Sequence, residues 1–272
     1  MRLLRLLFLL LPLYTYADDY YWVNGSGNWA DLTHWATSSG GSIYHTTIPG
    51  SGDNIFFDGN SGSTTISVNI NVNTVYGKDL KFLPSAPAVT FQGYTMVLEL
   101  FGSVQLQSTT SISNGYDVTW NLSGNGTHTI QTNGNSLSRI KFNGSGSYTL
   151  LDSLTLLHEL EFYSGSFDAN EKKVEARTLY GNLSNSTDDV DFKNCEITLT
   201  DSWRALEFQG ESGYDFTGST IHVVGDGARI NCFANDTITL NKVYMIDNAH
   251  NEISANYKFK IKTVHFDNIH PL

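Results

Sequence analysis

Three aspartates close together in the chain are the first candidates for chemistry. Asp188, Asp189 and Asp191 lie in and just after the polar run N-S-T-D-D. A hard cation such as Ca²⁺ takes several carboxylate and carbonyl oxygens, so these side chains form a candidate calcium site. Their spacing matches neither the EF-hand loop nor the nonapeptide calcium repeat, and a solvated turn is the simpler interpretation. The sequence suggests no other cofactor.

Tryptophans are the second set of candidates, because an exposed aromatic ring can stack on a sugar. Trp22, Trp29 and Trp35 are grouped near the N-terminus, and Trp203 stands alone in the tripeptide S-W-R. The alternative for the first three is a small aromatic core, since each ring buries a large area. We expect Trp203 to be the more exposed.

Glycan cleavage requires two carboxylates on either side of the scissile bond. On a repeat of about 20 residues, such a pair would lie one repeat apart. Glu99 is expected to follow a lysine and precede Thr119, whereas Glu161 is expected between Lys141 and Leu179. The four arginines from residue 139 onward share no obvious phase, and the eight histidines form no H-x-H or H-x-x-x-H pair. The sequence therefore predicts no catalytic residues and no histidine metal site.

Short apolar strands separated by Asn, Gly, Ser and Thr predict the fold. Apolar triplets begin at intervals of 17 to 24 residues between positions 80 and 258. The middle residue is often polar, and strand alternation then places the outer two inside. A repeat near 20 suits one coil of a solenoid, whereas a sandwich would space its strands by about 10. We predict an all-β protein, a right-handed parallel β-helix (β-solenoid) of about nine coils with about 20 residues per coil.

Charges in the triplets predict the register of the coils. If the middle residues form one outward column, Lys81 lies beside Glu99 and Lys141 lies beside Glu161. Opposite charges at such cross-strand positions attract one another.

The N-terminus and the charge balance indicate an extracellular protein. Residues 1–17 combine Arg2 and Arg5, an apolar run and a small residue at Ala17, which is the layout of a signal peptide. The apolar run is too short to cross a bilayer, so no membrane insertion is expected. Removing the two arginines leaves 14 basic against 27 acidic residues, a net charge of −13. Such a chain repels nucleic acid and anionic lipid, so neither is an expected partner.

Three further features complete the domain plan. The segment 18–58 lacks the 20-residue repeat and contains three tryptophans, so it is predicted to be an N-terminal aromatic cap on a β-helix at 59–272. No similar cap is visible at the other end, which we expect to be covered by a partner or by further repeats. Cys195 and Cys232 fall in different phases about two rungs apart, beyond disulfide reach, and are predicted to be free thiols.

The cap carries a family resemblance. Its sequence reads Y-W-V-N-G-S-G-N-W-A-D at 21–31, H-W at 34–35 and P-G-S-G-D-N-I-F-F-D at 49–58. This resembles the opening of large β-helical surface proteins that Bacteroidetes secrete, and the texture of 192–203 and 216–221 is similar to their repeats. The resemblance implies secretion, a β-helical fold and an adhesin-like or scaffold role, with no catalytic residues.

Two functions from different classes remain open. The first is a secreted or cell-surface, non-enzymatic adhesin-like or scaffold protein that binds an extracellular glycan or a surface protein. The second is a carbohydrate-active β-helix enzyme, a polysaccharide lyase or a glycoside hydrolase. A facing carboxylate pair would favour the enzyme, and an unbroken polar face would favour the scaffold.

Overall fold

The computed structural model describes residues 17–93, 96–112, 118–211, 213–235, 237–246, 251–255 and 259–267. Strand accounts for 53% of the structure and helix for 1%, which confirms the predicted all-β class. Parallel strands stack into a β-solenoid of about 8 turns with about 23 residues per turn, slightly fewer and longer than predicted. The predicted signal peptide lies outside the described residues up to position 16.

The described ranges contain 29 short strands and one 3₁₀ turn at Leu32–His34. In chain order the strands are β1 (Asp19–Trp22), β2 (Gly27–Asn28), β3 (Trp35–Ala36), β4 (Asn54–Phe57), β5 (Thr65–Asn69), β6 (Thr74–Gly77), β7 (Leu80–Phe82), β8 (Ala88–Gln92), β9 (Met96–Leu100), β10 (Val104–Gln105), β11 (Ser111–Ile112), β12 (Val118–Leu122), β13 (Thr127–Gln131), β14 (Ser136–Leu137), β15 (Arg139–Phe142), β16 (Ser147–Leu150), β17 (Leu154–Leu156), β18 (Glu159–Phe162), β19 (Ser166–Asp168), β20 (Val174–Ala176), β21 (Thr178–Leu183), β22 (Val190–Asp191), β23 (Glu196–Leu199), β24 (Leu206–Gly210), β25 (Tyr214–Val224), β26 (Arg229–Cys232), β27 (Ile238–Ile246), β28 (Glu252–Ala255) and β29 (Phe259–Asp267).

Each complete turn contributes strands to three ladders, which we call faces A, B and C in chain order. Face A contains β1, β4, β7, β10, β13, β16, β19 and β22, and face C contains β6, β9, β12, β15, β18, β21, β24, β26 and β28. Face B consists of two ladders, β2–β5–β8–β11 and β14–β17–β20–β23. The long strand β25 bends, pairing with β22 of face A at Tyr214 and with β23 of face B at Ile221.

The core is a set of inward columns produced by strand alternation. One column of face C stacks residues from successive rungs, each at most 3% exposed: Leu98, Trp120, Ile140, Leu160, Leu179, Leu206 and Ile230. Phenylalanine rings also stack between rungs, as in Phe142 over Phe162 with centroids 5.0 Å apart. Each fully buried side chain of this kind contributes about 1.5–3 kcal/mol relative to exposure. Stacking of rungs, rather than any single rung, therefore stabilises the fold.

The N-terminal segment packs its tryptophans together. Trp22, Trp29 and Trp35 are 0%, 1% and 0% exposed. The rings of Trp22 and Trp35 meet edge to face at 4.9 Å, and Trp22 also packs on Phe57 of the next rung at 5.7 Å. His34 stacks on Trp22 and lies 2.7 Å from the Val23 carbonyl oxygen through Nδ1. The three tryptophans therefore form part of the hydrophobic core.

Asparagines in left-handed turns form the corner between faces A and B. Asn133, Asn170 and Asn194 have φ angles of 51°, 51° and 54°, a region that asparagine tolerates better than most residues. The side-chain amides of the first two donate to carbonyl oxygens of the preceding turn, Leu106 at 2.6 Å and Leu150 at 2.9 Å. These bonds satisfy backbone groups at the corner and tie adjacent turns together.

One of the two predicted charge pairs is present. Lys141 and Glu161 are ladder partners, and Lys141 Nζ lies 3.3 Å from Glu161 Oε2. The predicted pairing of Lys81 with Glu99 is wrong, because β7 belongs to face A and β9 to face C. Eighteen residues are too few for a full turn at that point, since Leu80 pairs with Val104 instead.

Both cysteines are buried and free, as predicted. Cys195 is in the corner before β23 of face B, whereas Cys232 is in β26 of face C. Among the helices within the described ranges, none is long and apolar enough to span a bilayer.

Candidate functional site

An unbroken column of polar and phenolic side chains covers the outside of face C. Ladder pairing aligns one outward residue from each of eight successive strands, namely Tyr76, Glu99, Asn121, Lys141, Glu161, Tyr180, Glu207 and Asn231. Every second residue of a strand points outward, so this column is the outer counterpart of the buried one. The surface is polar along the whole length of the face.

A depression of about 290 Å³ lies in the middle of this column. We call it the face C site, and its lining residues are Arg139, Glu159, Glu161, Tyr163, Tyr180 and Arg204. They come from β15, β18, β21 and the corners next to these strands. Each side chain is positioned by a rigid ladder rather than by a long loop, which favours a preformed site.

Ion pairs link the charged groups of the face C site. Arg139 Nε lies 2.6 Å from Glu159 Oε2 and 3.3 Å from Glu161 Oε1, so one guanidinium bridges both carboxylates. Lys141 pairs with Glu161, and Arg204 Nε lies 3.6 Å from Oε2 of Glu207 on the same edge of the site. Glu161 is only 7% exposed. Each of these carboxylates therefore has a cationic partner already.

Two tyrosines supply planar surface and hydroxyl groups. Tyr163 donates a hydrogen bond to Glu161 Oε2 at 2.7 Å, and burial together with this bond to a carboxylate raises the pKa of Tyr163. The rings of Tyr163 and Tyr180 are 5.8 Å apart, and the Arg204 guanidinium lies 5.4 Å from the Tyr180 centroid. Burial, and secondarily Glu207, raises the pKa of Tyr180 as well. Both phenols are protonated at neutral pH.

Trp203 stands at the corner next to Arg204 and is 66% exposed. The guanidinium of Arg229 covers its ring, with Cζ 4.1 Å from the centroid. Asp201 Oδ1 accepts hydrogen bonds from the backbone N–H groups of Trp203 and Arg204, each at 2.7 Å. Of the four tryptophans considered as sugar-binding residues, Trp203 is the exposed one, whereas those at 22, 29 and 35 lie in the core.

The three aspartates of the candidate calcium site do not converge. Asp188 is largely buried and accepts a hydrogen bond from the Gly165 N–H at 3.0 Å. Asp191 binds Lys193, with Oδ2 2.5 Å from Nζ, while Asp189 is exposed. In the part of the chain that the structure describes, no group of three or more His, Cys, Asp and Glu could hold a metal ion.

Counting along the sequence missed most of the face C site. The expected neighbour of Glu161 was Leu179, but the step is 19 residues and the ladder partner is Tyr180. Glu99 likewise lies between Tyr76 and Asn121, rather than between a lysine and Thr119.

A local signal for the site was nevertheless present. The segments R-I-K-F at 139–142 and E-L-E-F at 159–162 oppose charges at two positions in the same register. Of the arginines that showed no common phase, Arg139 and Arg204 line the same depression.

Comparisons of the chain with protein-family models, with curated proteins and with solved structures returned no match.

Proposed function

We propose that this protein is a secreted or cell-surface solenoid that binds extracellular glycans at the face C site, in a non-enzymatic, adhesin-like or scaffold role. The observation that carries the proposal is a preformed depression with half-buried phenol rings beside paired guanidinium and carboxylate groups. Secretion rests on the signal-peptide pattern of residues 1–17, and the adhesin-like role on the resemblance of the cap motif.

The groups at this site suit a sugar. Tyrosine combines an apolar ring with a hydroxyl group, and such amphipathic side chains are common at binding surfaces. Tyr163 and Tyr180 offer ring surface, and Trp203 at the adjacent corner offers more. Ion-paired arginines and glutamates retain free donors and acceptors, which fix the orientation of a hydroxylated ligand.

The charge arrangement favours binding over hydrolysis. A glycosidase needs one carboxylic acid and one carboxylate on opposite sides of the scissile bond. Glu159 and Glu161 are close together, which is the specific observation in favour of a carbohydrate-active enzyme as the second candidate function. Arg139, however, lies between them and bonds to both. A sugar oxygen would have to displace this guanidinium to reach the pair.

A glycan array with the mature protein, followed by calorimetric titration, tests the proposal. We expect the wild type to bind, and Tyr180→Ala to lose at least tenfold in affinity. Tyr44→Ala is the matched control, because Tyr44 is 39% exposed on the cap and remote in sequence from the site. No glycan bound by the wild type, or equal affinity for both tyrosine variants, would reject glycan binding at this site.

The enzyme alternative has its own readout. The bound glycan is incubated with the protein, and the products are separated by size. Shortened products that disappear with Glu161→Gln would establish cleavage, whereas an unchanged glycan supports the scaffold role.

A further inference from the structure

We infer that the face C site binds a linear, uncharged polysaccharide that lies parallel to the solenoid axis, with about one sugar unit per turn. This inference rests on the proposed function and deepens it by naming the class and the orientation of the ligand.

The orientation follows from where the lining residues originate. Arg139 belongs to one turn, Glu159 and Tyr163 to the next, Tyr180 to the third, and Arg204 to the corner that leads into the fourth. The site is therefore elongated across turns, along the axis of the solenoid. A ligand that contacts all four turns must run in the same direction.

The spacing of the turns suits a sugar chain. Hydrogen-bonded strands are about 4.7–4.9 Å apart, so four turns span about 14 Å. A hexopyranose unit in an extended chain is about as long as one such step. Successive sugar units can then meet equivalent positions on successive turns, so three or four units fill the depression.

Polar side chains continue beyond both ends of the depression. On one side the outward column proceeds through Asn121 to Glu99, and the Asn121 amide donates a hydrogen bond to the Glu99 carboxylate. On the other side it proceeds through Glu207 to Asn231. A chain longer than four units therefore meets further hydrogen-bonding groups, without a change of direction.

The charge at the site selects an uncharged chain. Arg139, Lys141 and Arg204 each pair with a carboxylate from the set Glu159, Glu161 and Glu207. An acidic sugar would have to compete with these carboxylates, and it would also meet a protein whose net charge is −11. A neutral sugar can accept and donate hydrogen bonds without breaking any ion pair.

The experiment is a calorimetric titration of the mature protein with neutral oligosaccharides of one to eight units from the cellulose, xylan, mannan and chitin series. Oligogalacturonides of the same lengths form the acidic arm. We expect affinity for at least one neutral series to rise at least tenfold between two and four units and to change little per unit after that. Asn121→Ala should weaken chains of six or more units by severalfold, while leaving tetrasaccharides unchanged.

The outcomes separate the two proposals. Failure of every neutral and acidic series to bind overturns glycan binding, and this inference with it. Equal affinity for a disaccharide and a hexasaccharide leaves glycan binding in place and overturns the axial orientation. Tighter binding of oligogalacturonides than of every neutral series overturns the uncharged class alone.

Discussion

A glycine at the corner between faces C and A gives the sharpest test of how tightly the turns are stacked. Gly144 follows β15, directly above the corner of the preceding turn. A Cβ atom at this position would lie 2.3 Å from both the carbonyl oxygen of Gly124 and the carbonyl carbon of Ser123. Both neighbours are backbone atoms, so no flexible side chain can move aside. Gly144→Ala must therefore push two turns apart.

The size of the effect follows from the packing. Forcing extra atoms into a well-packed region costs about 1–3 kcal/mol. A methyl group also restricts the unfolded chain, which stabilises the native state by about 0.4–1 kcal/mol where there is room for it. We expect the steric cost to exceed this gain at Gly144, so that Gly144→Ala lowers the free energy of unfolding.

Gly126 provides the matched control, since it precedes β13 at the same corner. Its added Cβ would meet nothing closer than the His128 ring, at 3.4 Å, which is ordinary contact. Neither glycine is among the left-handed residues of the described chain, so both substitutions are free of backbone strain from that source. Gly126→Ala is therefore expected to be neutral or slightly stabilising.

Urea denaturation followed by far-ultraviolet circular dichroism measures the difference. Similar slopes with different midpoints would identify a change in stability alone. The expected gap between the two variants is about 1–3 kcal/mol, with Gly144→Ala the less stable. A Gly144→Ala protein as stable as Gly126→Ala would refute the close approach of these turns.

Two further predictions concern titratable groups. Burial raises the pKa of the Cys195 thiol to about 11 and raises that of Cys232 as well, so neither thiol should react with a disulfide reagent at pH 8 until the protein is unfolded; rapid labelling of the native protein would contradict this. Burial alone would raise the pKa of Asp201, but hydrogen bonds from the N–H groups of Arg204 and Trp203, and then Arg177, lower it below 3.8 overall. The carboxylate thus stabilises the fold above about pH 4, and this contribution is lost as pH falls through the lowered pKa. Asp201→Asn should therefore be less stable than wild type at pH 7, and the gap in urea midpoint should close below pH 4; a gap that persists at pH 2 would exclude this cause.

Local pattern was sufficient to identify the fold class. Strand alternation, turn-forming residues and a repeat of roughly constant length are properties of short segments, and they predicted a parallel β-solenoid that the structure confirms. The Lys141–Glu161 pair was also predictable, because the step between Trp120, Ile140 and Leu160 is 20 residues in this stretch. Where turn length is constant, counting residues is equivalent to measuring distance along the axis.

Elsewhere the turns absorb a variable number of residues, and counting fails. The step from Leu179 to Leu206 is 27 residues, whereas that from Leu160 to Leu179 is 19. An error of one residue exchanges the inner and the outer face of a strand, which is why Leu179 was expected beside Glu161 and Tyr180 is found there.

The composition of the cap and the outward column belong to different levels of this molecule. The sequence determined that the N-terminal segment is aromatic, that the strands alternate and that the chain is acidic. Only the stacking of the turns decided that three tryptophans are buried, that Trp203 is exposed, and that Arg139, Glu161, Tyr180 and Arg204 share one depression. The reason is physical: in a solenoid, neighbours on the surface are separated by a full turn of chain, and the length of each turn depends on how its corners pack against the turns before and after it.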